Sequence, residues 1–274
     1  MTLRLALISL AISVASIAHA ASLKGLLPHR AVYDISLDKS SDRSGITGIK
    51  GRMVYEFAGS ACEGFATRYR LFTRVSTPRK GFTSDQRTTS FESADGKNLS
   101  FVNRSYLNGQ LEQDVKGHAE RGSGAIQVEI SIPQEEAIEL DDALFMSEHY
   151  AGIIEAAKAG ETIHQALLFD GSGDGDEVLE TTAIIGKERD NLVEVTGEAE
   201  GLGKAFDGQS AWPVTLSYFK KDDVLGNGEK TPVYAVSFYV HESGVSRRLI
   251  MQYEEYSLRG DLKQIEMLKA EPCN

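Results

Sequence analysis

The stretch Ala125-Ile126-Gln127-Val128-Glu129-Ile130-Ser131-Ile132 decides the fold. Its branched apolar residues at 126, 128, 130 and 132 alternate with Gln127, Glu129 and Ser131. A period of two is the signature of a β-strand with one buried and one wet face. Gly122-Ser123-Gly124 just before it marks a turn. Working outward, Tyr33, Ile35 and Leu37 alternate with Asp34, Ser36 and Asp38. Comparable runs cover 46–57, 65–76, 82–93, 99–107, 111–120, 163–169, 178–187, 192–198, 214–220, 233–241, 246–256 and 262–268. Turn signals separate many of them: Asp95-Gly96, Asn108-Gly109 and Gly226-Asn227-Gly228. Asp-Gly and Asn-Gly supply the positive φ angles of two-residue hairpins. Many short strands joined by tight turns predict a mainly β chain, an antiparallel meander curling into a barrel, spiral or sandwich.

One segment breaks the period. From about 143 to 159, Met146, Tyr150, Ile153 and Ala157 follow the spacing of an amphipathic helix. Ser147 can cap it, or Asp141 and Asp142 can sit at its first turn; Lys158 and Gly160 suit its end. The Met and aromatic stripe reads as core.

The first twenty residues read as a signal peptide. Arg4 is a short basic region, Leu5 to Ile17 is apolar, and Ala18-His19-Ala20 is a small-x-small cleavage site before Ala21. The apolar run is shorter than the roughly 20 residues that span a bilayer. Cleavage between Ala20 and Ala21 leaves 28 basic residues against 40 acidic, a net charge of −12. That balance argues against nucleic acid and anionic lipid surfaces as partners. The expected organisation is a signal peptide over 1–20 and a single β domain over 21–274 in the periplasm. Two cysteines remain, Cys62 and Cys273. In an oxidising compartment they are expected to pair. The bridge would close a loop of about 210 residues, worth roughly 5 kcal/mol at most by chain entropy.

No constellation declares chemistry, so no catalytic residue, metal ligand or cofactor is assigned. Asp170-Gly171-Ser172-Gly173-Asp174-Gly175-Asp176-Glu177 imitates the start of a calcium loop. The bidentate Glu at its twelfth position is replaced by Thr181, so a solvated hairpin turn is expected. Gly201-x-Gly203 lacks the third glycine of a dinucleotide loop. No nucleophile elbow and no H-E-x-x-H motif occur. The five remaining histidines, His29, His118, His149, His164 and His241, are scattered; His149 and His241 read as hydrogen-bonded structural groups. The acidic pairs Glu135-Glu136, Asp141-Asp142 and Glu254-Glu255 show no spacing across a cleft. Trp212, before Pro213, anchors a strand start and is a candidate for a ligand groove.

Several stretches taken in order resemble one family: His29-Arg30-Ala31-Val32-Tyr33, Leu144-Phe145-Met146-Ser147-Glu148-His149, Phe169-Asp170-Gly171, Trp212-Pro213-Val214, and the pair Cys62 and Cys273. Together they resemble the alphaproteobacterial cell-envelope integrity protein family, EipB-like, formerly a domain of unknown function. Met146 stands where the family pattern carries Pro. The resemblance implies a periplasmic, non-enzymatic protein with a β-spiral or open half-barrel that supports envelope integrity and stress resistance. It implies a binding or scaffold role with an envelope protein as partner, a helical-repeat protein among the candidates. The fold is similar in outline to carriers that hold a lipoprotein's acyl chain, so a lipid or lipoprotein ligand is the alternative. A hydrolase of an envelope polymer is the third reading.

Overall fold

The computed structural model describes residues 23–190, 192, 195–221 and 230–270. Eight strands come first: β1 (His29–Ser40), β2 (Gly48–Ser60), β3 (Gly64–Ser76), β4 (Phe82–Glu92), β5 (Asn98–Leu107), β6 (Gln110–Arg121), β7 (Ala125–Ile132) and β8 (Glu136–Asp141). Helix α1 (Met146–Lys158) follows. Six strands complete the fold: β9 (Ile163–Leu168), β10 (Leu179–Ile185), β11 (Ala211–Lys220), β12 (Tyr234–His241), β13 (Ser246–Gln252) and β14 (Tyr256–Met267).

All fourteen strands lie in one antiparallel sheet, in the order β8-β7-β6-β5-β4-β3-β2-β1-β14-β13-β12-β11-β10-β9. The chain therefore makes two meanders. The first runs outward from β1 to β8, α1 crosses to the far edge, and the second runs back from β9 until β14 pairs with β1. The ladder does not close into a barrel. Its two ends are stitched through one residue: the Leu144 N–H donates to the Leu167 carbonyl and the Leu144 carbonyl accepts from the Phe169 N–H, both at 2.9 Å. The result is a β-spiral whose inner face is wrapped around its own core.

The period-two reading holds in detail. In β7, Ile126, Val128 and Ile130 are buried and Gln127, Glu129 and Ser131 are exposed. In β1, Ala31, Tyr33 and Ile35 face inward. Three expectations are corrected. Strand β8 was not expected: it is a short, acidic edge strand whose Ile138 and Leu140 are only half buried, the kind of sequence that keeps a sheet edge from pairing with other chains. The strand expected over 192–198 is not one in its described part. Residues 196–198 form a turn, and the carbonyls of Thr196 and Gly197 are taken by the Arg259 and Lys263 side chains. Residues 193–194 lie outside the described residues.

The third correction concerns α1. It is shorter than 143–159, and neither Ser147 nor the aspartates cap it. The cap position is Phe145, which has no side-chain cap. A carboxylate 55 positions earlier replaces it: both oxygens of Glu92, at the end of β4, accept from the Ser147 N–H at 3.0 and 3.1 Å. Lys158 does sit in the last turn, and Gly160 ends the helix at φ +77°.

The core has two parts. One gathers β5–β7 with Phe145, Phe169 and Val178. The other gathers β1–β3, α1 and β10–β14.

Candidate ligand cavity

The second part of the core is hollow. A cavity of about 540 Å³ lies inside the spiral, walled by β1–β4, β11–β13 and the start of α1. Strand alternation and register build it. Tyr33 on β1 faces Met53 on β2, Tyr55 on β2 faces Tyr69 on β3, and Tyr69 faces Thr88 on β4. On the opposite wall, Leu216 and Tyr218 of β11 face Val236 and Tyr234 of β12, and Val236 faces Met251 of β13. Each of these side chains lines the hollow. The rings cannot meet in the middle, and space remains.

Seven tyrosines line this space. Some are anchored: Tyr33 donates to the Ser246 carbonyl at 2.7 Å, and Tyr150 bonds the Ser246 hydroxyl. Tyr218, Tyr234, Tyr253 and Tyr256 form a run of tilted and stacked rings with centroids 4.9–5.5 Å apart. The Tyr69 and Tyr218 hydroxyls have no hydrogen-bond partner among the described residues. Burial pushes the phenols of Tyr55 and Tyr253 up to about 12. The phenols are therefore neutral donors and acceptors at neutral pH.

Among the described residues the wall holds neither Lys nor Arg. Its one carboxylate is Asp170, whose Oδ1 accepts from the Ser172 N–H at 2.8 Å. His29 lies at another point of the wall, with Nδ1 2.7 Å from the Leu27 carbonyl; burial lowers its pKa. The wall thus offers apolar contact and neutral hydroxyls, with a single anionic group.

Of the residues singled out in the sequence, His29, Met146, Ser147, Tyr150, Asp170 and Ser172 line this space, and others lie apart from it. Trp212 is 4% exposed, packed in the core, and does not contribute to the cavity wall. Cys62 is in the turn between β2 and β3, while Cys273 and the cleavage site at Ala20 and Ala21 lie outside the described residues. The 170–177 segment is the loop between β9 and β10. It is more than a solvated turn: Gly171 and Gly175 are buried against the Phe101 ring, where an added Cβ would come within 2.6 Å. Gln113 reaches Asp174 at 2.8 Å.

His149 Nε2 lies 2.8 Å from the Thr181 hydroxyl, which itself donates to the Ala166 carbonyl. Burial pushes His149 down to about 4 and His241 down to about 3. His241 is held without a hydrogen bond from either ring nitrogen. It stacks on Phe206 at 4.3 Å, and the Arg247 guanidinium lies over the same ring at 4.7 Å. That corrects the expectation of a hydrogen-bonded His241. What sequence reasoning missed is the tyrosine set. Its signal was present, since Tyr33, Tyr55 and Tyr69 all fall on inward positions of alternating strands.

The fold is thus an open antiparallel β-spiral around a largely apolar hollow. Residues 20–269 match the EipB-like family, and the chain belongs to that family. It is 40% identical over 256 residues to the cell envelope integrity protein EipB of Brucella abortus (strain 2308), covering 92% of this chain and 88% of that one. A crystal structure of a β-barrel-like protein of domain of unknown function DUF1849, also from Brucella abortus, superposes with a TM-score of 0.81 at 38% identity, over 89% of this chain and 99% of that one.

Proposed function

We propose that this protein supports integrity of the cell envelope from the periplasm by holding an amphiphile in the tyrosine-lined cavity, without chemistry of its own. The observation that carries the reading is the hollow itself. Its volume lies within the 300–1,000 Å³ of ordinary small-molecule sites. Its lining is mainly apolar, and apolar wall left uncovered forfeits dispersion contacts. The relative's name supplies the envelope role, and the signal-peptide pattern at residues 1–20 supplies the route to the periplasm. A disulfide between Cys62 and Cys273 belongs to the same reading.

The test is direct. Protein purified from cell envelopes should release a lipid-class molecule on denaturing extraction, seen by mass spectrometry. Leu249→Trp, which fills the hollow from β13, should carry none and should fail to restore detergent resistance to a deletion strain. If the filled variant restores resistance as well as the wild type, the cavity is not the functional element.

One observation favours a second mode, docking of an envelope protein such as a helical-repeat protein on the outer face. Ile163 on edge strand β9 and Ile184 beside it on β10 are cross-strand neighbours, 58% and 59% exposed. Ile184→Glu should then weaken capture of that partner while leaving the bound lipid in place.

A further inference from the structure

Resting on that reading, we infer that the cavity selects an amphiphile whose head group carries no negative charge: a neutral hydroxyl or ester head, or an amine, and not a carboxylate or phosphate. Beside the tyrosine hydroxyls, a cluster of short polar side chains gathers on one side of the cavity. Glu92 ties the end of β4 to the start of α1. The Asn103 side chain ties β5 to the Gly171 carbonyl at 2.5 Å. These two ties bring Thr88 and Ser90 of β4 to the side closed by Ser147, Asp170 and Ser172. The facing wall carries Leu216, Val236 and Met251 alongside Tyr218 and Tyr234. Ser172 is exposed, so the polar side reaches solvent, as the lining does also at Val233. A chain would lie against β11–β13 and its head at the hydroxyls.

Three features decide the charge of that head. No Lys or Arg is among the described lining residues, so an anion would enter without a partner, and a desolvated, unpaired charge is strongly disfavoured. Asp170 adds like-charge repulsion for an anion and attraction for an amine. The third feature is the α1 N-terminus. Such an end ordinarily attracts anions, but here Glu92 already occupies it with both carboxylate oxygens. The mature chain's net charge of −12 opposes anion entry from farther away.

The experiment uses the mature chain loaded with N-phenyl-1-naphthylamine, a neutral fluorescent apolar probe. At pH 8 it is displaced by a monoacylglycerol, an alkylamine, a fatty acid and a lysophosphatidate of one chain length. The first two should displace at least ten-fold more effectively than the last two. Asp170→Asn keeps the oxygen that accepts from Ser172 and should therefore fold. It should weaken the alkylamine and strengthen the fatty acid, leaving the monoacylglycerol unchanged. A readout free of any variant is pH: as the fatty acid is neutralised, its affinity should rise toward that of the monoacylglycerol. A fatty acid equal to the monoacylglycerol at pH 8, or one indifferent to its own protonation, overturns the inference and leaves the cavity reading intact. If no amphiphile displaces the probe, or Leu249→Trp binds as well as the wild type, the cavity reading itself falls and the inference with it.

Discussion

Two regions of the same sheet solve opposite problems. Where β5–β7 curve over the 170–177 loop, the interior is solid. Phe101 is 1% exposed, meets Phe169 edge-on at 6.0 Å, and is seated against glycines on two sides: an added Cβ on Gly117 or Gly171 would come within 2.4 or 2.6 Å of its ring. Where β1–β4 and β11–β13 face each other, tyrosines and aliphatic side chains stop short of contact and leave the hollow. The solid region draws its stability from dispersion and burial. The hollow region adds polar braces to its own buried apolar cluster: the Tyr33–Ser246 bond, and Arg247 with Glu198, 1% and 2% exposed, joined by charge-assisted hydrogen bonds. One sheet can hold a cavity because a neighbouring stretch and a few buried braces fix its curvature.

The comparison breaks first in the solid region. Phe101→Ala should cost about 3–5 kcal/mol in denaturant unfolding, since the glycines around the ring cannot refill the space. A loss under about 1 kcal/mol would mean that this core is not close-packed. Glu198→Ala attacks the brace of the hollow region. It removes the carboxylate that pairs the buried Arg247 guanidinium, and about 3 kcal/mol should be lost, or roughly 6–12 °C in Tm for a chain of this size.

The Glu92 cap couples the two regions and responds to pH. Burial, opposed by the Ser147 hydrogen bonds, pushes its carboxyl up to about 7. Between pH 4.5 and 7 the folded state therefore holds a proton that the unfolded state has lost, and this group's contribution to stability falls as pH rises. His149 and His241 act the other way. Their folded values near 4 and 3 lie below the unfolded 6.5, so their contribution grows as pH rises to 6.5. Glu92→Gln should remove the falling component, and unfolding free energy should climb more steeply from pH 4.5 to 7, by on the order of 3 kcal/mol over the window. Parallel curves for variant and wild type would refute the shift. The smallest effect belongs to Tyr69→Phe, which deletes a hydroxyl without a protein partner. Thermal stability should stay within about 0.5 kcal/mol, and any larger change would show that the hydroxyl is engaged by the fold.

Much of this fold was legible in the sequence because alternation is a local signal. Ile126, Val128 and Ile130, and Ala31, Tyr33 and Ile35, point inward where their spacing puts them. β8 escaped because an edge strand is written in charge, with only Ile138 and Leu140 to mark its inner side. The Glu92 cap escaped because its partner is 55 residues away. Of the cavity, the sequence showed the inward tyrosines but not the space between them. A residual volume depends on how far two walls stand apart, and that is set by the summed register of a dozen strand pairs. Trp212, the most conspicuous aromatic in the sequence, is an ordinary core residue.

The pairing of β1 with β14 joins the two ends of the chain. His29 stands opposite Met267, with about 240 residues of chain between them. Until β14 is in place, β1 can have a partner on its β2 side only, and its other edge shows a row of unpaired amides and carbonyls. The chain cannot finish its sheet piecemeal, because the last strand made is the keystone of the first.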